Sequence, residues 1–221
     1  MRQRFDEPLI AAAIVRGEHA GADSVERFAQ DRRGGDARAG VDPASSRSLD
    51  FGGGQVTDLF THWIDVVHMF MGQEIPTSAQ AAGGVYNYKD GRTAPDTINV
   101  LLQYPTEFTA TFEATLAPGI TGAAIEFCGT EGRLWIDRSR YEYYPLGRNP
   151  QPTVVPVEPG PDPITQAHID NFLECVKTRN RPNGDVLIGA RSAQASHLGN
   201  ISYMQKRRID FDPVREEILP F

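Results

Sequence analysis

Phe108-Thr109-Ala110-Thr111-Phe112-Glu113-Ala114-Thr115-Leu116 alternates without a break. Phe108, Ala110, Phe112, Ala114 and Leu116 are apolar, and the residues between them are polar. A period of two sends successive side chains to opposite faces of a strand, so this segment predicts a strand with one face in a core and one towards water. Such half-buried strands belong to antiparallel sheets that stay open on one side. Further strands are expected at 78–88, 97–104, 122–128, 133–138 and 140–144, with turn signals at Asp90-Gly91 and Thr130-Glu131-Gly132.

Away from these strands the apolar period becomes helical. Leu9, Ile10, Ala13 and Ile14 suggest a short helix over 5–17 with Gly17 as its stop. Gln55 to Met71 predicts a longer helix, entered through Gly52-Gly53-Gly54 and closed by Gly72. Residues 163–179 place Ile169, Phe172, Leu173 and Val176 on one face, and another helix should run from near Asp185 to about Gln205. A last strand, 208–211, precedes Pro213. The fold class is therefore α+β: an open, mostly antiparallel sheet with helices packed on one face. Residues 18–50 hold few large apolar side chains and read as a loop or a partly disordered segment. The chain thus divides into 1–50, a helix and a poorly ordered loop, and 51–221, the α+β domain.

The 221 residues carry a net charge of −7, which argues against nucleic acid, because phosphate binding needs clustered Lys and Arg. Lys206-Arg207-Arg208 is the one basic cluster and reads as a solvated helix end. Cys128 and Cys175 are too few and too far apart for a disulfide framework or a zinc motif, and read as buried small apolar residues. A reducing, cytoplasmic setting is expected. No run of about 18 apolar residues exists to span a membrane, and no signal-peptide pattern opens the chain.

Chemistry concentrates in Gly52-Gly53-Gly54-Gln55-Val56-Thr57-Asp58-Leu59-Phe60-Thr61-His62-Trp63-Ile64-Asp65-Val66-Val67-His68. At about 100° per residue, Asp58, His62 and Asp65 fall within roughly 60° of each other, with His68 at the edge of the stripe. Val56, Phe60, Trp63, Val67 and Phe70 take the opposite face. Ordinary solvent faces use Lys, Glu, Gln and Arg, and this stripe uses none. An Asp one turn before a His orients the imidazole and raises its basicity, which suits a general base acting on a hydroxyl. A satisfied structural cluster, a plain polar face and a metal site on Asp58, His62 and Asp65 or His68 are the other readings of the same spacing.

This run resembles the opening of the C-terminal domain of the Gfo/Idh/MocA oxidoreductases, the glucose-fructose oxidoreductase and inositol dehydrogenase family. The shared pattern is a glycine triplet, an Asp, a His four residues on and an Asp three beyond, here Gly52, Gly53, Gly54, Asp58, His62 and Asp65. The likeness extends over about 51–213, through residues 83–98 with Arg92 and Pro95-Asp96-Thr97, the strand 108–116, Glu126 to Gly132, His168 to Leu173, and His197 to Ile201. It implies that His62 is the acid/base and Asp58 its partner and substrate contact. Asp65, Arg92 and His168 become candidate substrate-binding residues, and a sugar-like molecule the substrate. It also implies NAD or NADP as cofactor, and pairing of two copies through the sheet, with Leu101, Thr109, Thr111, Thr115 and Tyr88 as lining residues.

Family members begin with a dinucleotide-binding Rossmann domain, whereas no Gly-x-Gly-x-x-Gly occurs here. The family's catalytic lysine, carried in a Glu-Lys-Pro-like motif, is also missing, and residues 18–50 depart from the family pattern. The expectation is a truncated or split oxidoreductase component that does not bind the nicotinamide alone and takes a separate Rossmann partner. A non-catalytic dimerisation module and a metal-dependent hydrolase or lyase are the alternatives. Among single residues, Trp63 and Trp135 are expected in the core. His168 and His197 read as core or capping residues, or as the rim of the site. Arg92 reads as a hairpin tip or a substrate loop.

Overall fold

The computed structural model describes residues 10–16, 47–106, 108–117, 123–137, 139–156 and 163–220. Its centre is a ten-stranded sheet. In chain order the strands are β1 (Ile10–Arg16), β2 (Ser78–Gly84), β3 (Thr97–Gln103), β4 (Thr109–Thr115), β5 (Ala124–Gly129), β6 (Gly132–Ile136), β7 (Arg140–Pro145), β8 (Thr153–Pro156), β9 (Ile209–Asp212) and β10 (Glu217–Ile218). Across the sheet they run β10-β9-β2-β3-β4-β1-β5-β6-β7-β8, and every described pair is antiparallel except β1 with β4.

The alternation read at 108–116 sets the layering. Ala110, Phe112 and Ala114 of β4 stand opposite Leu102, Val100 and Ile98 of β3, and all six are buried. The helix α1 (Thr61–Met71), entered through a π-helical turn (Val56–Phe60), lies on that face. Val56, Phe60, Ile64 and Val67 are fully buried there, and Phe60 stacks on Phe112 with 4.7 Å between ring centres. Gly72 ends α1 in the left-handed conformation at φ 63°, as the glycine stop predicts. Helix α3 (Val186–Gln205), started by an Asp185 cap on the Leu187 amide, packs beside α1 and over β2. Its Gly199 is a contact point: a Cβ there would fall 2.9 Å from Val100 Cγ1 and 3.4 Å from Val56 Cγ1.

Four expectations need correction. Within the helix expected over 5–17, Ile10–Arg16 is the strand β1, held between β4 and β5. Ala13 and Val15 are fully buried there, next to Ala110 and Phe127 and next to Phe112 and Ile125. A short apolar run fits either period, and pairing on both edges decides for strand. The rest of 5–17 and residues 18–46 lie outside the described residues. Strand 78–88 stops at Gly84, because the buried Asp96 carboxylate draws in the amides of Tyr86, Asn87 and Tyr88 at 3.1, 2.8 and 2.9 Å. Trp135 is only half-buried, with the Arg140 guanidinium 4.7 Å over its ring.

The fourth correction concerns helix α2 (Pro163–Thr178), which does not cover the sheet. Ile169, Phe172, Leu173 and Val176 are 44–58% exposed. On the sheet's far side Glu113 of β4 and Leu101 of β3 are exposed, and Thr109, Thr111 and Thr115 are half-buried. Strand β8 was not foreseen, because Pro150, Pro152 and Pro156 mark a loop; those prolines suit an edge strand.

Candidate functional site

Three contacts fix the start of α1. Thr57 Oγ1 donates to the Gly52 carbonyl at 2.7 Å, Gln55 Nε2 to the Asp96 carbonyl at 3.0 Å, and Asn200 Nδ2 to the Gly53 carbonyl at 2.7 Å. Gly53 sits at φ +68°, and the Thr57 hydroxyl lies 2.1 Å from where its Cβ would be, so no side chain fits. The Gly52 and Gly53 amides both donate to the Ser48 carbonyl, at 2.9 and 3.3 Å. These glycines spend their free donors on the chain itself and do not form a phosphate cradle. This glycine stretch therefore does not fit the pyrophosphate of a dinucleotide.

The stripe read as Asp58-His62-Asp65 divides. Asp58, in the π turn, and His62, in the first α turn, are exposed, with no hydrogen bond between them. π turns carry one extra residue and recur at functional sites. Asp65 is instead taken up between helices, accepting a hydrogen bond from Ser192 Oγ at 2.8 Å. One turn earlier Thr61 Oγ1 donates to Ser196 Oγ at 3.0 Å. Asn200, Ser196 and Ser192 thus meet Gly53, Thr61 and Asp65 in turn, which makes α1 and α3 antiparallel neighbours. His197 follows Ser196 and is exposed. The i, i+4 spacing of Ser192, Ser196 and Asn200 was a legible signal for this helix contact that the sequence reading passed over.

His68 belongs to the core. It is buried, with Nε2 2.7 Å from the Tyr104 hydroxyl, and Tyr104 stacks on Phe108 with 4.4 Å between ring centres. Burial lowers the His68 pKa from its ordinary 6.5 to about 4, while the Asp65 charge acts in the opposite direction. Burial also raises the Tyr104 hydroxyl well above its ordinary range.

Arg92 is committed to its own loop. Its Nε and Nη2 hold the two Asp90 carboxylate oxygens at 2.8 and 2.7 Å, and the guanidinium lies 4.6 Å over the Tyr88 ring. Hydrogen bonds from Arg92 keep the Asp90 carboxyl well below the usual carboxylate range. His168 is exposed on α2, and no described contact joins it to Asp58 or His62. Among the described residues no group of three His, Cys, Asp or Glu side chains is placed to hold a metal ion. A cavity of about 280 Å³ opens between Gly72–Ile75, Pro105, Arg191 and Pro213. It is at the other end of α1 from Asp58, about 20 Å away along the axis. No helix among the described residues is long and apolar enough to cross a membrane.

No curated protein matches the sequence. Several solved structures share the fold. Aldose-aldose oxidoreductase from Caulobacter crescentus superposes with a TM-score of 0.66 at 17% identity, over 93% of this chain and 56% of that one. UDP-N-acetylglucosamine 3-dehydrogenase from Acidithiobacillus ferrooxidans gives 0.62 at 14%, over 89% and 55%. A levoglucosan dehydrogenase in complex with NADH and levoglucosan gives 0.65 at 17%, over 91% and 58%. The chain spans a little over half the length of each. Residues 26–135 match the sequence model of the GFO/IDH/MocA C-terminal domain, which begins inside the segment 18–50 set apart above. On that match and this fold, the chain belongs to the GFO/IDH/MocA family as a carrier of its C-terminal domain.

Proposed function

We propose that this chain is the substrate-side component of an NAD- or NADP-dependent oxidoreductase acting on a hydroxyl of a sugar or cyclitol. The observation that carries the reading is the fate of the polar stripe on α1. Asp65 and His68 are absorbed by the fold, and Asp58 and His62 are left exposed. His62 takes the hydroxyl proton, and Asp58 contacts the substrate beside it. A nicotinamide supplies the hydride acceptor, held by a dinucleotide-binding domain that these 221 residues do not contain. The levoglucosan dehydrogenase bound to NADH and levoglucosan supports this substrate class and cofactor. Two copies pair through the open face of the sheet, and the setting is cytoplasmic.

The second reading, a non-catalytic pairing module, draws support from the spent glycine amides and from Leu101 and Glu113, exposed on the far side of the sheet. Nicotinamide fluorescence separates the two. The chain alone should leave NADH fluorescence unchanged. Mixed with a dinucleotide-binding domain of the family, it should bring about NAD(P)⁺ reduction with a sugar or cyclitol from a panel. A mixture that binds NADH and reduces nothing across the panel would favour the pairing module.

A further inference from the structure

We propose that the cavity of about 280 Å³ beyond the C-terminal end of α1 is a binding site for a free, zwitterionic amino acid with an aliphatic side chain. Its walls come from four places in the chain, and the backbone at three of them is pinned. Gly72 closes α1 with its amide on the His68 carbonyl at 3.0 Å, and the Thr77 amide donates to the Gln103 carbonyl at 2.7 Å, so Gln73 to Ile75 are held at both ends. Pro105 follows Tyr104, whose amide donates to the Phe108 carbonyl at 3.1 Å. Pro213 follows Asp212, whose carboxylate takes the Val214 and Arg215 amides at 2.8 and 3.0 Å. A hollow with fixed walls loses little conformational freedom on binding. Its volume lies just under the range of about 300–1,000 Å³ for drug-sized ligands, so its occupant is small.

Arg191 of α3 is the fourth wall and the one cation among the described lining residues, and its side chain is 14% exposed. Its Nη2 meets one Glu216 oxygen at 2.8 Å, and Gln194 Nε2 donates to the other at 3.3 Å, so the guanidinium is held in place. Its Nε is buried and finds no acceptor among the described residues. A buried N–H without a partner is costly, and a guanidinium N–H calls for an oxygen. The charge balance decides what carries that oxygen. Glu216 already pairs with Arg191, and Glu74, which forms no ion pair among the described residues, adds a negative charge to the lining. A simple anion would therefore meet two carboxylates against one guanidinium. An amino acid carries no net charge: its carboxylate accepts from Arg191 Nε, and its ammonium pairs with Glu74. Ile75, Pro105 and Pro213 offer apolar wall to an aliphatic side chain. The site is at the other end of α1 from Asp58 and does not rest on the function proposed above.

The test follows the Arg191 Nε–H signal, identified by its loss in Arg191→Lys, in NMR spectra of the nitrogen-labelled chain. L-valine, L-leucine and L-proline are titrated in, with N-acetyl-L-valine as the probe that lacks an ammonium. The signal should shift saturably with at least one of the three amino acids, at a dissociation constant of about 0.1–1 mM. N-acetyl-L-valine should bind about ten-fold more weakly than L-valine or worse. Glu74→Gln, with an unchanged melting temperature, should weaken the amino acid by a similar factor, and His62→Ala should leave its binding unchanged. No shift with any of the three amino acids, N-acetyl-L-valine binding as tightly as L-valine, parental affinity in Glu74→Gln, or loss of binding in His62→Ala would each overturn the assignment.

Discussion

His68 shows how two histidines six residues apart on one helix take opposite roles. The sequence places both near one polar stripe, and only the packing of Tyr104 against Phe108 draws His68 inward. What was legible was the open pair, Asp58 and His62. What was not legible was that Asp65 would be taken by Ser192, a residue 127 positions away. The buried ring has a pH signature. The unfolded chain binds a proton at His68 below about pH 6.5, and the folded chain only below about pH 4. His68 therefore contributes its full stability above pH 6.5, and loses it as the pH falls towards 4. Between about pH 7 and about pH 5 the loss should be about 2 kcal/mol. Urea unfolding at the two pH values measures it, with His68→Gln as the control that should flatten the difference. An unchanged difference in the variant would remove His68 from the account.

Helices and strands were read with unequal success, for physical reasons. α1 and α3 announce themselves through period and caps, and β3 and β4 through alternation of buried and wetter positions. β1 does not, since Ile10-Ala11-Ala12-Ala13-Ile14-Val15 is apolar at every position, so no polar residue marks a period of two. α2 has the pattern of a packed helix, but its apolar face stays exposed among the described residues. A periodic stripe shows that a face seeks cover, not where the cover comes from. The contact of α3 with the sheet is specific enough to predict a pair of outcomes. Gly199→Ala should cost about 1–3 kcal/mol, because its methyl would meet Val100 at 2.9 Å. Gly189→Ala, with nothing within 4 Å of the new methyl, should stabilise by up to about 1 kcal/mol through helix propensity. Thermal unfolding of both variants checks the pair, and a Gly199→Ala protein as stable as the parent would contradict the close packing.

At the scale of the whole molecule, one face of the sheet is packed by α1 and α3, and the other carries the exposed Leu101 and Glu113 among the half-buried Thr109, Thr111 and Thr115. The proposed pairing uses this side, where a two-fold arrangement lets the same patch serve both copies. Sedimentation at tens of micromolar should show a dimer, and Leu101→Glu should shift it to monomer. A monomeric parent protein would contradict pairing through this face. The family and the fold were legible from the glycine triplet, Asp58, His62 and the alternation at 108–116, because these are local patterns. The partner domain is not written in these residues, and the central claim joins the two: His62, left open on α1, is the proton acceptor of a sugar oxidoreductase. The most direct test is turnover of His62→Ala in the assembly with a dinucleotide-binding domain, beside His168→Ala and with melting temperatures for both. The account predicts a loss of about 10²–10⁴-fold for His62→Ala, little change for His168→Ala, and unchanged melting for each. Equal turnover in the two variants would contradict it.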